Sequence, residues 1–510
     1  MAQPPWWQRG VVYQIYPRSF ADGNGDGVGD LPGLLERVDH LAWLGIDAAW
    51  LSPIFASPMA DFGYDVADYC DVDPLFGTLA DLDRVRDVLH ARGIRLLLDW
   101  VPNHTSDRHP WFLESRASRA SPKRDWYVWR DPKPGGAPPN NWVHAFSQGR
   151  PAWTFDEATG QYYLHCFLPA QPDLRWANPA VERAMHGVLR FWLDRGIDGF
   201  RIDVVHGLGK DPELSDDPPE RAGLPHIAFN DHPAVHPILR RLRALADGYA
   251  GDRALVGEVF LLCPHDVIDY YGRGDELHLA FDLPRCLHVA WDAAAWRERT
   301  AEVLAAHVPR GAWPTLVLSN HDTPRHRTRL GSEPRARAAA LLLLGLPGTP
   351  FLYAGEELGL EDAEIPPERV VDPGGRDGSR APIPWDATPS HGWSAAPWLP
   401  WPPDPGRRNV AARRADETSI LHLYRRLLAA RRASPALSSG AWRALEAPPS
   451  VFAWLREAGA DRRLVAVNFG DDEARVALEG TVEVSTDGGG EGHRFAGRLA
   501  PAAGVVLRQR

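Results

Sequence analysis

Short apolar runs separated by amphipathic stretches recur from the start of the chain to about residue 355. Eight runs read as buried strands: VVYQIY (11–16), DAAWLS (47–52), RLLLDWV (95–101), GFRID (199–203), ALVGEVF (254–260), LHLAFD (277–282), TLVLSN (315–320) and PFLYAG (350–355). Near-continuous apolar character belongs to strands covered on both faces, as parallel sheets require. Between them, stretches such as LPGLLERVDHLAWLG and LADLDRVRDVLHARG repeat apolar residues at helical spacing, so each predicts a covering helix. Eight alternating units predict an α/β chain closed as a (β/α)8 TIM barrel, with its chemistry at the C-terminal ends of the strands.

Two stretches depart from that alternation. Residues 105–172, after the third strand, are rich in Trp, Pro and polar turn residues and far outrun a single helix, which predicts a small inserted domain overhanging the barrel mouth. Beyond the helical SILHLYRRLLAARRASP (419–435) the pattern changes to alternating short runs, WRALEA, VFAWLRE, RRLVAVNFG and ARVALEG. These predict a C-terminal antiparallel β-sandwich domain. The expected organisation is a barrel of residues 1–104 and 173–437, an inserted subdomain of 105–172 and a β domain of 438–510.

Composition narrows the function classes. A chain of 510 residues exceeds what one core supports, and 44% apolar with 24% charged residues is ordinary for a folded protein. A net charge of −11 argues against nucleic acid and anionic membranes as partners and favours a neutral substrate. The N-terminal stretch lacks the pattern of a secretion signal and no run reaches membrane-spanning length, so a cytoplasmic location is expected. Cys70, Cys166, Cys263 and Cys286 show no CxxC spacing and read as small buried apolar residues rather than a disulfide framework or zinc site. Most of the 21 tryptophans are accounted for by core filling, and a few could offer flat faces to sugar rings.

The candidate chemistry lies in acidic residues that end strands: Asp99, Asp203, Glu258 and Asp322. Cleavage of a glycoside with retention of configuration needs two carboxyl groups about 5–5.5 Å apart, one to attack and one to protonate the leaving oxygen. Neighbouring barrel strands can supply that separation. Asp203 follows Arg201 by two residues, so both side chains share a face and the guanidinium is expected to keep the carboxylate ionised. Glu258 ends VGEVF among apolar neighbours, a setting suited to a general acid. An Asp or Glu after a strand is unremarkable singly, but three carboxylates and two histidines converging are not.

These residues fall in DWVPNHTS (99–106), GFRIDVV (199–205), GEVF (257–260) and SNHDTPR (319–325), with QPDLRW at 171–176. In these motifs the chain resembles the α-amylase superfamily of glycoside hydrolases, its α-glucosidase and oligo-1,6-glucosidase branch, over nearly its whole length. The resemblance implies Asp203 as nucleophile, Glu258 as acid and base, and Asp322 as the third carboxylate that grips sugar hydroxyls. It further implies His104 and His321 as hydroxyl donors, Arg201 orienting Asp203, Asp61 and Tyr64 at the terminal glucose, Arg380 pairing with Asp61, and Phe167 as a pocket wall. A closed pocket of that kind implies exo action on small oligosaccharides.

The run DGNGDGVGD (22–30) places Asp22, Asn24 and Asp26 at alternate positions, then Asp30, with glycines permitting a tight loop. That is cation-loop spacing, to which Val28 could add its carbonyl; a plain Asx-rich turn is the alternative. The resemblance implies a structural Ca2+ or Mg2+ there. No organic cofactor is expected.

Linkage preference stays open. The resemblance associates Val204 with α-1,6 bonds, yet VHGLGKD and Arg175, where such enzymes carry Asn, depart from that pattern, and the acidic loop 208–232 beside Asp203 could favour either linkage. Three readings follow: a retaining exo-α-glucosidase with possible transglucosylation; a glucosyl-transferring or isomerising enzyme of the trehalose synthase or sucrose isomerase type; and a non-catalytic partner subunit, disfavoured by the intact carboxylates.

Overall fold

The structure, a computed structural model, describes residues 3–146, 149–261, 264–281 and 289–509. Cys263, Cys286 and Asp282 lie outside the described residues. Each of the eight apolar runs contains a parallel strand: Val12–Ile15, Ala48–Leu51, Arg95–Trp100, Gly199–Ile202, Ala254–Glu258, Leu279–Phe281, Thr315–Val317 and Thr349–Tyr353. Numbered in chain order, they pair as 6-5-4-3-2-1-8-7. The ends of this ladder approach each other where Thr315 Oγ1 donates to the Ala280 carbonyl at 3.0 Å, so the barrel is nearly closed.

The strands are buried on both faces because alternate residues serve two cores. Val12, Ala48, Trp50, Leu97, Val256, Leu279, Phe281 and Phe351 fill the barrel interior. Their neighbours Tyr13, Ala49, Leu96, Leu98, Phe200, Leu255 and Leu352 face the helices, as a period of two demands. The helices begin at side-chain caps. Asp30 accepts from Gly33 N to start Leu31–Leu44, which ends at Gly45 with φ 93°. Thr78 and Asp81 form a capping box for Leu79–Ala91, and Asn178 caps Pro179–Asp194.

Within the insertion, helix Pro110–Ala117 packs on a three-stranded antiparallel sheet of Trp129–Arg130, Gln161–Leu164 and Trp153–Asp156. Rings of Phe112, Tyr127, Trp129 and Tyr163 form its centre. The chain leaves and rejoins the barrel at His104 and Asp173, which pair as an antiparallel bridge.

The C-terminal sheet has five antiparallel strands in the order Ala441–Leu445, Val451–Ala458, Asp461–Asn468, Gly504–Arg508, Thr481–Ser485. One face, with Phe452, Trp454, Val465, Val467 and Val506, joins the main core. The other, with Ala453, Leu455, Leu464, Ala466 and Leu507, packs with Ala474 and Leu499 of a second, two-stranded sheet. Helix Glu333–Gly345 lies between barrel and sheet and is continuously buried from Ala338 to Gly345. Its C-terminal carbonyls are held by buried arginines: Arg456 Nη1 and Trp454 Nε1 donate to Gly345 O at 2.9 and 3.2 Å, and Arg431 Nη1 to Leu344 O at 3.0 Å.

Among the described residues no helix is long and apolar enough to cross a membrane. Cys166 is buried as expected, whereas Cys70 is only half-buried, because it sits on the short surface hairpin strand Asp68–Val72.

Behind the eighth strand, Glu356 accepts from Tyr424 OH at 2.9 Å and Tyr353 N at 3.2 Å. Burial pushes its carboxyl up to about 8, with the adjacent Glu357 adding to the shift. The folded state therefore binds this proton more tightly than the unfolded chain, and its stabilising effect is lost as pH rises toward 8. Glu356→Gln, which imitates the neutral acid, is expected to flatten the fall in melting temperature between about pH 5 and pH 8, read by thermal unfolding across that range.

Candidate active site

Asp99 lies in the third strand, Asp203 directly follows the fourth, and Glu258 ends the fifth. The parallel register sets Arg201 opposite Asp99 on one side and Val256 on the other. From there its guanidinium reaches three carboxylates: Nη1 donates to Asp99 Oδ1 at 2.9 Å and Asp203 Oδ1 at 2.6 Å, and Nη2 lies 2.8 Å from Glu258 Oε2. Asp203 and Glu258 are thus side by side on one fork. The next residue, Val204, is left-handed at φ 43°, a strained conformation for a β-branched residue. Its N–H donates to Glu258 Oε2 at 3.0 Å.

Two electrostatic expectations change here. Arg201, expected to keep Asp203 ionised, is shared among three carboxylates and does not prevent the Asp203 carboxyl from rising, and Glu258, expected among apolar neighbours, faces a cation and an amide. Burial raises the Asp203 carboxyl well above its ordinary value; Arg201 opposes the shift, and Glu258 and Asp99 add to it. Asp99 is pushed up to about 7, first by burial, against the pull of Arg201 and the Tyr64 hydroxyl. Asp99 and Asp203 therefore hold a proton more tightly than free carboxyls do.

Asp322, in the loop after the seventh strand, behaves oppositely. Burial works against its charge, but His321, Arg376 and Arg380 overcome it and hold its carboxyl below the ordinary value. His321 is kept neutral, its pKa lowered to about 3 by burial. The Gln14 amide, 2.7 Å from its Nδ1, leaves the proton on Nε2, which sits 2.6 Å from the Tyr64 hydroxyl and 3.3 Å from Asp322 Oδ2. Tyr64 OH in turn donates to Asp99 Oδ2 at 3.1 Å.

Around these groups lies a cavity of about 600 Å3, within the range of ligand pockets. Asp61, Tyr64, His104, Phe167, Asp203, Glu258 and Asp322 all line it. Arg201 and His321 stand behind it, 3% and 1% exposed, and act through the carboxylates they hold.

Arg380 is a correction. Asp61 pairs with Arg376, whose Nη2 lies 2.6 Å from Asp61 Oδ1 and whose Nη1 lies 3.0 Å from Asp322 Oδ1. Arg380, fully buried, instead bonds Asp372 at 3.1 Å, Asp322 at 3.2 Å and the His321 carbonyl at 2.8 Å. The short 3-10 helix Asp377–Arg380 separates the two arginines, turning Arg376 to the cavity and Arg380 beneath it. Both belong to GGRDGSR, so the stretch carried the signal but not the choice between them.

Sequence reasoning also missed Gln171 and Lys210. Gln171 lines the cavity, its Nε2 donating to Asp61 Oδ2 at 3.1 Å and lying 3.1 Å from His104 Nε2. The Lys210 ammonium draws together Asn103 Oδ1 at 2.9 Å, the Gly207 carbonyl at 2.7 Å and Asp173 Oδ2 at 3.1 Å. It thereby ties the insertion's return to the loop beyond Asp203.

In the 22–30 loop, Asp22 accepts from Gly25 N and Gly27 N, Asn24 from Asp26 N, Asp26 from Val28 N, and Asp30 from Gly23 N and Asn24 N. Three carboxylates, an amide oxygen and the Val28 carbonyl are the hard oxygen donors that Ca2+ or Mg2+ takes. Among the described residues no three His, Cys, Asp or Glu side chains sit together as ready ligands, so a cation here would draw these oxygens inward from their present bonds.

Residues 14–440 match the family model for the α-amylase catalytic domain. The chain is 44% identical to a probable α-glucosidase of Rhizobium meliloti, over 93% of this chain and 91% of that one. It is 38% identical to an oligo-1,6-glucosidase of Parageobacillus thermoglucosidasius, over 91% of each. Among solved structures, the trehalulose synthase MutB of Pseudomonas mesoacidophila superposes with a TM-score of 0.92 at 34% identity, covering 99% of this chain and 100% of that one.

The two arginines should separate in stability. Arg380→Met strips a buried cation from Asp372 and Asp322 and is expected to cost about 3 kcal/mol. Arg376→Met should cost less, because its guanidinium borders the cavity. Urea unfolding followed by tryptophan fluorescence measures both.

Proposed function

The chain belongs to the α-amylase family of glycoside hydrolases, and from that premise we propose that it is a retaining, exo-acting α-glucosidase releasing terminal glucose from short oligosaccharides. The observation that carries this reading is one guanidinium fork holding Asp203 and Glu258 in a cavity whose wall contains the Asp61–Arg376 ion pair. The shared fork favours the close carboxyl spacing of retaining enzymes. The ion pair closes the pocket beyond the terminal sugar, and Asp61 and Arg376 hold that sugar's outer hydroxyls.

In this reading Asp203 attacks the anomeric carbon while Glu258 protonates the departing oxygen, giving an ester between Asp203 and the glucosyl unit. Asp322, kept ionised by its arginines, accepts hydrogen bonds from sugar hydroxyls. Neutral His104, its pKa lowered by burial to about 4, bonds a hydroxyl without adding charge. Ester formation leaves Arg201 to Asp99 and Glu258, and Glu258, having given up its proton, can take one from the attacking water. A saccharide that outcompetes water would instead accept the glucosyl unit, which is the route to transfer or isomerisation.

Asp203→Asn and Glu258→Gln are each expected to lower turnover by about 10^3-fold or more with the melting temperature preserved. Proton NMR should detect α-glucose as the first-formed anomer; β-glucose first would overturn retention. A panel of maltose, isomaltose, trehalose and sucrose fixes the linkage. Free glucose supports hydrolysis, and a rearranged disaccharide the isomerising alternative.

The 22–30 loop belongs to the same proposal as a structural Ca2+ or Mg2+ site, held by Asp22, Asn24, Asp26, Asp30 and the Val28 carbonyl. Chelation followed by Ca2+ or Mg2+ addition is expected to raise the melting temperature by a few degrees. An Asp26→Ala variant should lose that response.

A further inference from the structure

The cavity wall that carries Asp61 and Tyr64 stands on a loop the backbone does not adopt freely. Met59 and Phe62 have φ of 65° and 49°, and Gly63 has 105°. Neither Met nor Phe favours the left-handed region, and at Gly63 an added Cβ would meet Pro53 Cβ at 3.0 Å and its carbonyl at 3.1 Å. Strain of this kind persists only where the surroundings over-determine it, and it clusters at functional sites.

The group that over-determines it is Asp65. Its carboxylate is fully buried. Oδ1 accepts from Asp61 N at 2.9 Å and Ser57 Oγ at 3.0 Å, and Oδ2 accepts from Ala60 N at 2.9 Å. Ser57 Oγ accepts in turn from Met59 N at 3.0 Å, and Ser57 N donates to Asp73 Oδ2 at 2.9 Å. The strained turn is thus wrapped around one carboxylate that lies outside the cavity lining. On its two sides the turn delivers Asp61 to Arg376 and Tyr64 to Asp99 and His321.

We propose that Asp65 is a positioning residue that holds residues 57–64 in this strained turn, and thereby sets affinity for the terminal sugar through Asp61 and Tyr64. The proposal rests on the exo-glucosidase reading. It separates binding from chemistry, because Asp65 bonds Ser57, Ala60 and Asp61, none of which is a partner of the Arg201 fork that carries Asp203 and Glu258; only Tyr64 reaches that fork, through Asp99. Disturbing the turn therefore weakens sugar capture while the paired carboxyls keep their places.

The test is the steady-state cleavage of 4-nitrophenyl α-glucoside by wild type, Asp65→Asn, Ser57→Ala, Met59→Gly and the double variant Asp65→Asn with Met59→Gly. Asp65→Asn is expected to raise KM about tenfold or more with kcat changed less than about threefold, since small misplacements of positioning groups are costly. Ser57→Ala, which removes one of the three bonds to Asp65 together with the bond from Met59 N and keeps the test open if Asp65→Asn fails to fold, should raise KM about two- to threefold. Met59→Gly relieves the left-handed strain; it should leave the wild-type KM unchanged and recover much of the loss in the double variant. An Asp65→Asn enzyme with unchanged KM, one that loses kcat alone, or a double variant that regains melting temperature without regaining KM would overturn the proposal. A wild type that does not cleave the glucoside would instead bring down the exo-glucosidase reading on which it rests.

Discussion

One buried positive charge organises the catalytic end of this barrel. Arg201, 3% exposed, holds Asp99, Asp203 and Glu258 together, and the rings of Trp50 and Tyr64 lie 5.4 and 5.8 Å from its guanidinium. Three carboxylates could not occupy such a space unaccompanied, because the desolvation of each costs several kcal/mol unless it is paired. The arrangement follows from strand register, which lays Asp99 beside Arg201 and brings Glu258 up from the neighbouring strand. The strained peptide at Val204 then adds an amide to Glu258. Substrate-facing geometry is in this sense a property of the barrel ladder rather than of flexible loops.

A second ionic group completes the cavity. Arg376 and Arg380 share Asp61, Asp322 and Asp372 among them. Six carboxylates therefore meet three guanidiniums around the space a substrate would enter. The surplus of negative charge agrees with the acidic chain as a whole and turns away phosphates and other anions. It also divides the carboxylates by role. Burial raises Asp99 and Asp203 beside Arg201 toward holding protons, while Asp322, flanked by two arginines, stays charged. His321 links the two groups, with Tyr64 on one side and Asp322 on the other.

The fold was legible because strands buried on both faces leave an unmistakable apolar run, and all eight runs contain a strand. Their ends were less so. GFRID reads as one strand, but the ladder stops at Ile202, since Asp203 and Val204 begin a left-handed turn that a β-branched residue does not advertise. The carboxylates Asp203, Glu258 and Asp322 stood out by position. What sequence could not supply was partnership. Arg201 beside Asp203 was visible from i, i+2 spacing, whereas its reach to Asp99 and Glu258 depends on register across strands. The exchange of Arg376 for Arg380 depends on one turn of 3-10 helix, and the left-handed Met59 and Phe62 carry no local mark.

Helix Glu333–Gly345 binds the two ends of the chain into one unit. Buried from Ala338 to its end, it has the barrel on one flank and the terminal sheet on the other, and its last carbonyls are capped by Arg431 from helix Ile420–Ala433 and Arg456 from the sheet itself. Stripped of that sheet, it would present a bare greasy rod to water. The appended domain is accordingly no dispensable ornament but a cover for the helical layer that wraps the barrel.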